Sequence, residues 1–186
     1  MPKKIALDID STIHHYWDLL ERIAHERYGV AMPYDEQDDW GITALSPDDL
    51  AACVEESHSD ENILAGEPYP GAVETVAEWH ASGHWIHVTS HRRIASGEAT
   101  EHWLKQIGMP FDDLHCSFDK VSRCVELGID VLIDDSPVNI ARARARGILP
   151  ATIVHPWNRE VVERDGVIGG ADWSELKRLL DPLLAE

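Results

Sequence analysis

Lys4-Ile5-Ala6-Leu7-Asp8-Ile9-Asp10-Ser11-Thr12 opens as a short apolar run and ends in two carboxylates and two hydroxyls. The apolar part has the length and character of a buried strand. A polar loop comes directly after it, so the strand delivers Asp8 and Asp10 to its own carboxyl end. Working outward, similar runs recur at Trp85-Ile86-His87-Val88-Thr89, Leu114-His115-Cys116-Ser117, Val131-Leu132-Ile133-Asp134 and Ala151-Thr152-Ile153-Val154. Amphipathic stretches separate most of them. Pro70 to Ser82 aligns Val73, Val76, Ala77 and His80 before Gly83, and Gly97 to Ile107 aligns Ala99, Trp103 and Ile107 before Gly108. Lys120 to Leu127 stops at Gly128, Ser136-Pro137 starts a helix that ends at Gly147, and Asp172-Trp173-Ser174-Glu175 caps a last helix. Glycine after a helix, serine as N-cap and proline at the first helical position are the expected punctuation. Strands alternating with helices predict an α/β fold with a parallel sheet covered on both faces. Ligands of such sheets sit beyond the carboxyl ends of the strands.

The stretch from Ile13 to Glu67 breaks this alternation. Ile13, Trp17, Leu20 and Ala24 follow helical spacing up to Gly29, and Ser46-Pro47 begins a second helix through Ser57. No strand is predicted there. The expected organisation is therefore a core of residues 1–12 and 68–186, with residues 13–67 forming a small helical insertion over the strand ends.

Composition excludes several classes of function. The 186-residue chain carries a formal net charge of -18, and no lysine or arginine occurs between Tyr28 and His91. Nucleic-acid polymers are bound through basic patches, so they are not expected partners. No run approaches the roughly 20 apolar residues of a membrane helix, and the N-terminus lacks a signal-peptide pattern; the expected location is the cytoplasm. Three cysteines without C-x-x-C spacing and eleven scattered histidines predict neither a disulfide framework nor a histidine- or cysteine-based metal site. Homodimerisation is left open.

The chemistry collects at the strand ends. Asp8 and Asp10 can share one site, one attacking phosphorus while the other handles a proton, and together they can hold a hard cation. A capping and turn cluster has the same composition. Thr89-Ser90-His91-Arg92 closes the second strand with hydroxyls and backbone N–H groups suited to phosphoryl oxygens, and Arg92 and Arg93, the first cations after the acidic stretch, either serve substrate phosphate or balance charge, with Ser90, Arg92 and Trp40 as the candidate substrate contacts. Lys120 opens a helix, where its charge opposes the helix dipole; a role facing the site would explain it. Asp134-Asp135 closes an apolar strand, and adjacent carboxylates there are costly unless paired or metal-bound.

The order D-x-D-x-T, strand-end Thr/Ser, lysine, strand-end D-D resembles the four motifs of haloacid-dehalogenase-like (HAD) phosphatases and spans Asp8 to Asp135. The resemblance implies a Rossmann-like core with a small helical cap, a Mg²⁺-dependent phosphomonoester hydrolase and an aspartyl-phosphate intermediate. By the same resemblance Asp8 is the nucleophile and Asp10 the general acid and base. Asp8, the Asp10 backbone carbonyl and Asp135 hold the metal with Asp134 in support, and Thr89, Lys120 and Ser90 stabilise the phosphoryl group. Many relatives carry a further acid just past the D-D motif, where this chain has Asn139. D-I-D-S-T, V-T-S and L-I-D-D together are similar to the 5′(3′)-deoxyribonucleotidase group, which implies nucleoside monophosphates as substrates. Tyr16, Trp17 and Trp40 are the aromatic candidates for the base. Trp40 is the less explained of them, because Trp17 lies in the apolar stripe of its helix. A phosphatase for another small metabolite, such as a sugar phosphate, and a non-catalytic phosphate-binding domain are the alternatives.

Overall fold

The computed structural model describes residues 1–117 and 119–186. Six strands form one parallel sheet in the order β3-β2-β1-β4-β5-β6. They are β1 (Lys4–Leu7), β2 (Trp85–Ser90), β3 (Asp113–Cys116), β4 (Val131–Ile133), β5 (Leu149–Ile153) and β6 (Ile168–Gly170). The chain builds outward from β1 to β3, then returns to the other side of β1 with β4. The carboxyl ends of β1 and β4 therefore flank the switch point, the crevice where open parallel sheets bind ligands. Leu7 pairs with Ile133 across that junction, which sets Asp8 beside Asp134 and Asp135.

Helices cover both faces, as parallel sheets require. On one face α4 (Ala72–Ala81), α5 (Gly97–Gln106) and α9 (Trp173–Leu184) pack Val76, Trp79, Trp103, Leu176 and Leu180 against Ile5, Leu7, Ile86 and Val88. On the other, α6 (Lys120–Leu127) and α7 (Pro137–Ala145) bring Val121, Cys124 and Ala143 onto Ala6 and Leu132. Ser136 caps α7 by accepting from Asn139 N–H, with Pro137 at the first helical position, and Asp172 caps α9 by accepting from Glu175 N–H.

Strand β6 and helix α8 (Arg159–Asp165) are additions to the sequence reading. Ile168-Gly169-Gly170 has no propensity signal for a strand. Its glycines answer to packing instead. A Cβ on Gly170 would lie 2.4 Å from the backbone nitrogen of Leu176, and one on Gly169 would lie 2.8 Å from Val154 and Val162.

The insertion contains α1 (Tyr16–Tyr28), α2 (Pro47–Ser57) and α3 (Asp60–Leu64), and no strand among the described residues. It has its own apolar cluster of Trp17, Leu20, Ile23, Ala24, Met32, Leu45 and Cys53, which one residue from beyond β5, Trp157, completes. The three cysteines are free and buried. No helix among the described residues is long and apolar enough to cross a membrane.

Candidate active site

The loop after β1 is a tight turn. The Ile9 carbonyl accepts from the N–H groups of Thr12, Ile13 and His14, and Ser11 takes a left-handed conformation with φ of 59°. For a residue with a Cβ this backbone costs about 1 kcal/mol. It turns Asp8 and Asp10 to separate neighbours in one crevice.

Asp8 meets Lys120 and the β4 pair. Lys120 Nζ lies 2.8 Å from Asp8 Oδ1 and 2.8 Å from Asp134 Oδ2, with all three side chains buried. These two partners explain a lysine at a position that helix energetics alone disfavours. One carboxylate oxygen from each of Asp8, Asp134 and Asp135 lies within 4.8 Å of the other two. Three carboxylates thus face one ammonium. Burial, together with Asp134 and Asp10, pushes the Asp8 carboxyl up to about 7 against the pull of Lys120. Burial and the repulsion of Asp8 and Asp134 hold Asp135 well above the usual carboxylate range. A divalent cation would remove that penalty, so the donor set, all hard oxygens, fits Mg²⁺.

The D-D pair is divided by its neighbours. Asp134 is saturated: besides Lys120 it accepts from Ser136 N–H at 2.9 Å and from Asn139 Nδ2 at 3.1 Å on each oxygen. Asn139, the departure from the usual acid, is therefore a partner of Asp134. Asp135 accepts from Trp157 Nε1 at 3.2 Å on Oδ2, and Oδ1 has no partner among the described residues.

Asp10 lives in the opposite electrostatic setting. Arg92 grips it with Nη2 at 2.7 Å and Nε at 3.2 Å, while His14 Nδ1 and His58 Nε2 approach to 3.3 and 3.2 Å. Burial alone would raise its pKa, but the Arg92 charge and the two histidine hydrogen bonds hold it well below the usual range. Arg92 is itself buried, donates to Thr100 and lies over the Trp103 ring. Its guanidinium thus points at Asp10, whereas Arg93 reaches the surface and pairs with Glu55 of α2.

Thr89 and Ser90 are fully buried at the end of β2. Thr89 Oγ1 has no hydrogen-bond partner among the described residues, and Ser90 Oγ accepts from Arg92 N–H. A pocket is lined by Asp8, Asp10 and Asp135 together with Tyr16, Trp17, Leu20, Ile42, Leu50, Val54 and Trp157, while Thr89, Ser90 and Lys120 are not among its described lining residues. Trp40 stands at its edge, 44% exposed. No lysine or arginine is among the described residues lining it.

Sequence reasoning missed His14, His58 and Trp157. The first two lie in loops of the insertion and carry no motif. Trp157 had a usable signal, since His155-Pro156-Trp157-Asn158 leaves a strand of the parallel sheet at its carboxyl end.

A parallel sheet with a helical insertion after β1, and carboxylates meeting across the switch point, is an architecture shared with haloacid dehalogenase-like proteins of known structure. The fold is shared with a haloacid dehalogenase-like hydrolase from Streptococcus pneumoniae (TM-score 0.69, 15% identity, 98% of each chain). It is shared equally with a HAD family hydrolase from Deinococcus radiodurans solved with bound phosphate and sodium (TM-score 0.69, 16% identity, 98% of this chain and 97% of that one). The chain belongs to the family of 5′ nucleotidase, deoxy (pyrimidine), cytosolic type C proteins, whose model matches residues 3–185. A Chlorobaculum tepidum protein named for 5′(3′)-deoxyribonucleotidase activity is 25% identical over 92% of this chain and 87% of its own length. The protein is accordingly a phosphomonoester hydrolase of the nucleotidase type.

Proposed function

We propose that the protein releases phosphate from 5′- or 3′-(deoxy)nucleoside monophosphates in a Mg²⁺-dependent reaction through an aspartyl-phosphate on Asp8. The observation that carries this reading is the position of the Asp8 carboxylate, under-neutralised beside Asp135 and Lys120 on the floor of a pocket with aromatic walls.

Asp8 Oδ1 is engaged by Lys120 and by the Ile9 N–H at 2.7 Å, which leaves Oδ2 for the attack on phosphorus. The new bond is Asp8 O–P and the broken bond is P–O to the nucleoside, whose oxygen takes a proton from Asp10. Water then attacks the phosphorus of the aspartyl-phosphate as Asp10 accepts its proton, so that Asp8 and inorganic phosphate separate. Asp10 in its grip of Arg92, His14 and His58 is the ionised base of the second half. A phosphoryl dianion arriving beside it adds like charge and favours the protonated acid of the first half.

Lys120 spends two of its three N–H donors on Asp8 and Asp134, leaving one for a phosphoryl oxygen. Thr89 and Ser90 supply hydroxyls at the same strand end. Asp8, Asp135 and the Asp10 backbone carbonyl would hold Mg²⁺, which when bound supplies charge neutralisation at the phosphoryl oxygens. Asp134, saturated by Lys120, Ser136 and Asn139, is the support that fixes the lysine. The saturation of one aspartate and the open Oδ1 of the other favour Asp135 as the ligand. Residues 13–67 act as the cap, and Trp40, Tyr16, Trp17 and Trp157 offer faces on which a base can stack without reading its identity. Arg92 serves the reaction by holding Asp10, which replaces direct substrate contact as its role.

The test is a panel of nucleoside monophosphates, sugar phosphates and an aryl phosphate with Mg²⁺ and with excess chelator. Nucleotide hydrolysis that disappears in chelator and returns with Mg²⁺ is expected. Preference for sugar phosphates would overturn the substrate, full activity in chelator the metal, and no turnover of any ester the enzymatic reading.

A further inference from the structure

We propose that Trp157 is a positioning residue for Asp135, fixing the orientation of this carboxylate through its indole N–H. The inference rests on the Mg²⁺ reading given above and adds to it a residue outside the four motifs.

Trp157 sits in a strap that β5 sends across the switch point. The strap is pinned at both ends. His155 N–H donates to Asn158 Oδ1 at 2.9 Å, and Asn158 Nδ2 reaches the backbone carbonyl of Asp135 at 3.1 Å and of Ile153 at 3.0 Å. His155 Nε2 donates to the Ser11 carbonyl at 2.6 Å, so Nδ1 is the acceptor for the Tyr34 hydroxyl at 2.7 Å. Both nitrogens of a neutral ring are thereby used. The imidazole stacks on the Trp157 indole with centroids 4.5 Å apart and planes 8° from parallel. Trp157 is thus held in plane by a group that is itself fixed to the loop bearing Asp8 and Asp10.

From that position the indole has two contacts that no other described residue combines. Its Nε1–H donates to Asp135 Oδ2, the one side-chain donor on this carboxylate among the described residues. Its ring faces Trp17 at 5.2 Å and belongs to the insertion's apolar cluster. Asp134 by contrast is oriented from three sides. Among the described residues the Asp135 side chain is oriented from one, the indole on Oδ2. Donors behind a metal ligand of this kind fix its rotamer, and losing one typically costs metal affinity.

The experiment is calorimetric titration of the full chain with Mg²⁺ in the absence of substrate. Trp157→Phe keeps a ring against Trp17 and His155 and deletes the N–H; affinity is expected to fall about 10- to 100-fold. Because a smaller ring can loosen the core, the same titration is run with 3-benzothienylalanine at Trp157, which keeps the ring shape and replaces N–H by sulfur. It should show the same loss with an unchanged melting temperature. Trp17→Phe removes cap packing without touching Asp135 and should leave Mg²⁺ affinity unchanged. Wild-type affinity in both Trp157 variants overturns the inference and leaves the nucleotidase reading intact, as does an equal loss in Trp17→Phe. Absence of Mg²⁺ binding in the wild type overturns both.

Discussion

Asp8 and Asp10 are two residues apart on one loop, yet the fold gives them opposite surroundings. Asp8 shares a buried cluster with Asp134 and Asp135 against the single ammonium of Lys120. Asp10 is one carboxylate with a guanidinium and two imidazoles upon it. The first is short of positive charge and its pKa rises; the second is rich in it and its pKa falls. In the proposed reaction these two identical side chains do different work, Asp8 in nucleophilic attack and Asp10 in proton transfer. Environments that push pKa values apart are how such roles are divided. The guanidinium on Asp10 comes from the core, whereas His58 follows the end of α2, so the insertion contributes a hydrogen-bond partner to Asp10.

This contrast can be broken from either side. The largest effect is expected from Asp8→Asn, which should lower kcat by about 10⁴-fold or more while leaving the circular dichroism spectrum unchanged. Substantial residual turnover would remove the nucleophile from the scheme. Asp10→Asn should cost about 10² to 10⁴-fold in kcat. Arg92→Lys, which replaces the two-pronged grip with a point charge, should cost a smaller part of that, on the order of 10-fold. An Arg92→Lys enzyme as active as wild type would mean that the guanidinium has no part in placing Asp10.

The next effect concerns stability in chelator. Asp8 titrates near 7 in the fold and near 3.8 when unfolded, so the native state holds the extra proton between those values. Wild-type stability from this group therefore rises as pH falls from 7 toward 4. Asp8→Asn has no such dependence, and its melting temperature should exceed that of wild type most at pH 8, the gap closing below 7. A gap that widens on acidification would contradict the repulsive cluster. The smallest effect belongs to His155, whose pKa burial lowers from 6.5 to about 4. Here the unfolded chain takes the proton first. The stability of wild type linked to this ring is complete above 6.5 and lost as pH falls to 4, and His155→Asn should melt with a shallower pH slope in that window.

Much of this is legible in the amino-acid sequence because parallel sheets write it locally. Each core strand is a short apolar run, and the motif residues fall at its end, so Asp8, Asp10, Thr89, Lys120, Asp134 and Asp135 can be named from the chain alone. Gly128 and Ser136-Pro137 mark helix ends in the same way. Strand β6 escapes such a reading because Gly169 and Gly170 are chosen for close contact with Val162 and Leu176, a long-range fact without local signal. Arg92 is readable as a cation near phosphate, but its rotation inward onto Asp10 depends on Thr100 and Trp103 of α5. The contact of His14 with Asp10 is local, made by the tight turn after β1, whereas that of His58 arises only when the insertion folds back onto the core.

The pocket that carries no lysine or arginine on its described walls also bears on the end of the catalytic cycle. In the proposed reaction, cleavage leaves an uncharged nucleoside against aromatic rings and a multiply charged inorganic anion beside Lys120 and the carboxylates. A mouth edged by Asp39 and closed by a segment without basic residues offers that anion no electrostatic trap on its way out. Under that proposal the acidity that makes long polyanions unexpected partners also acts as an exit gradient, favouring departure of free phosphate before the next turnover.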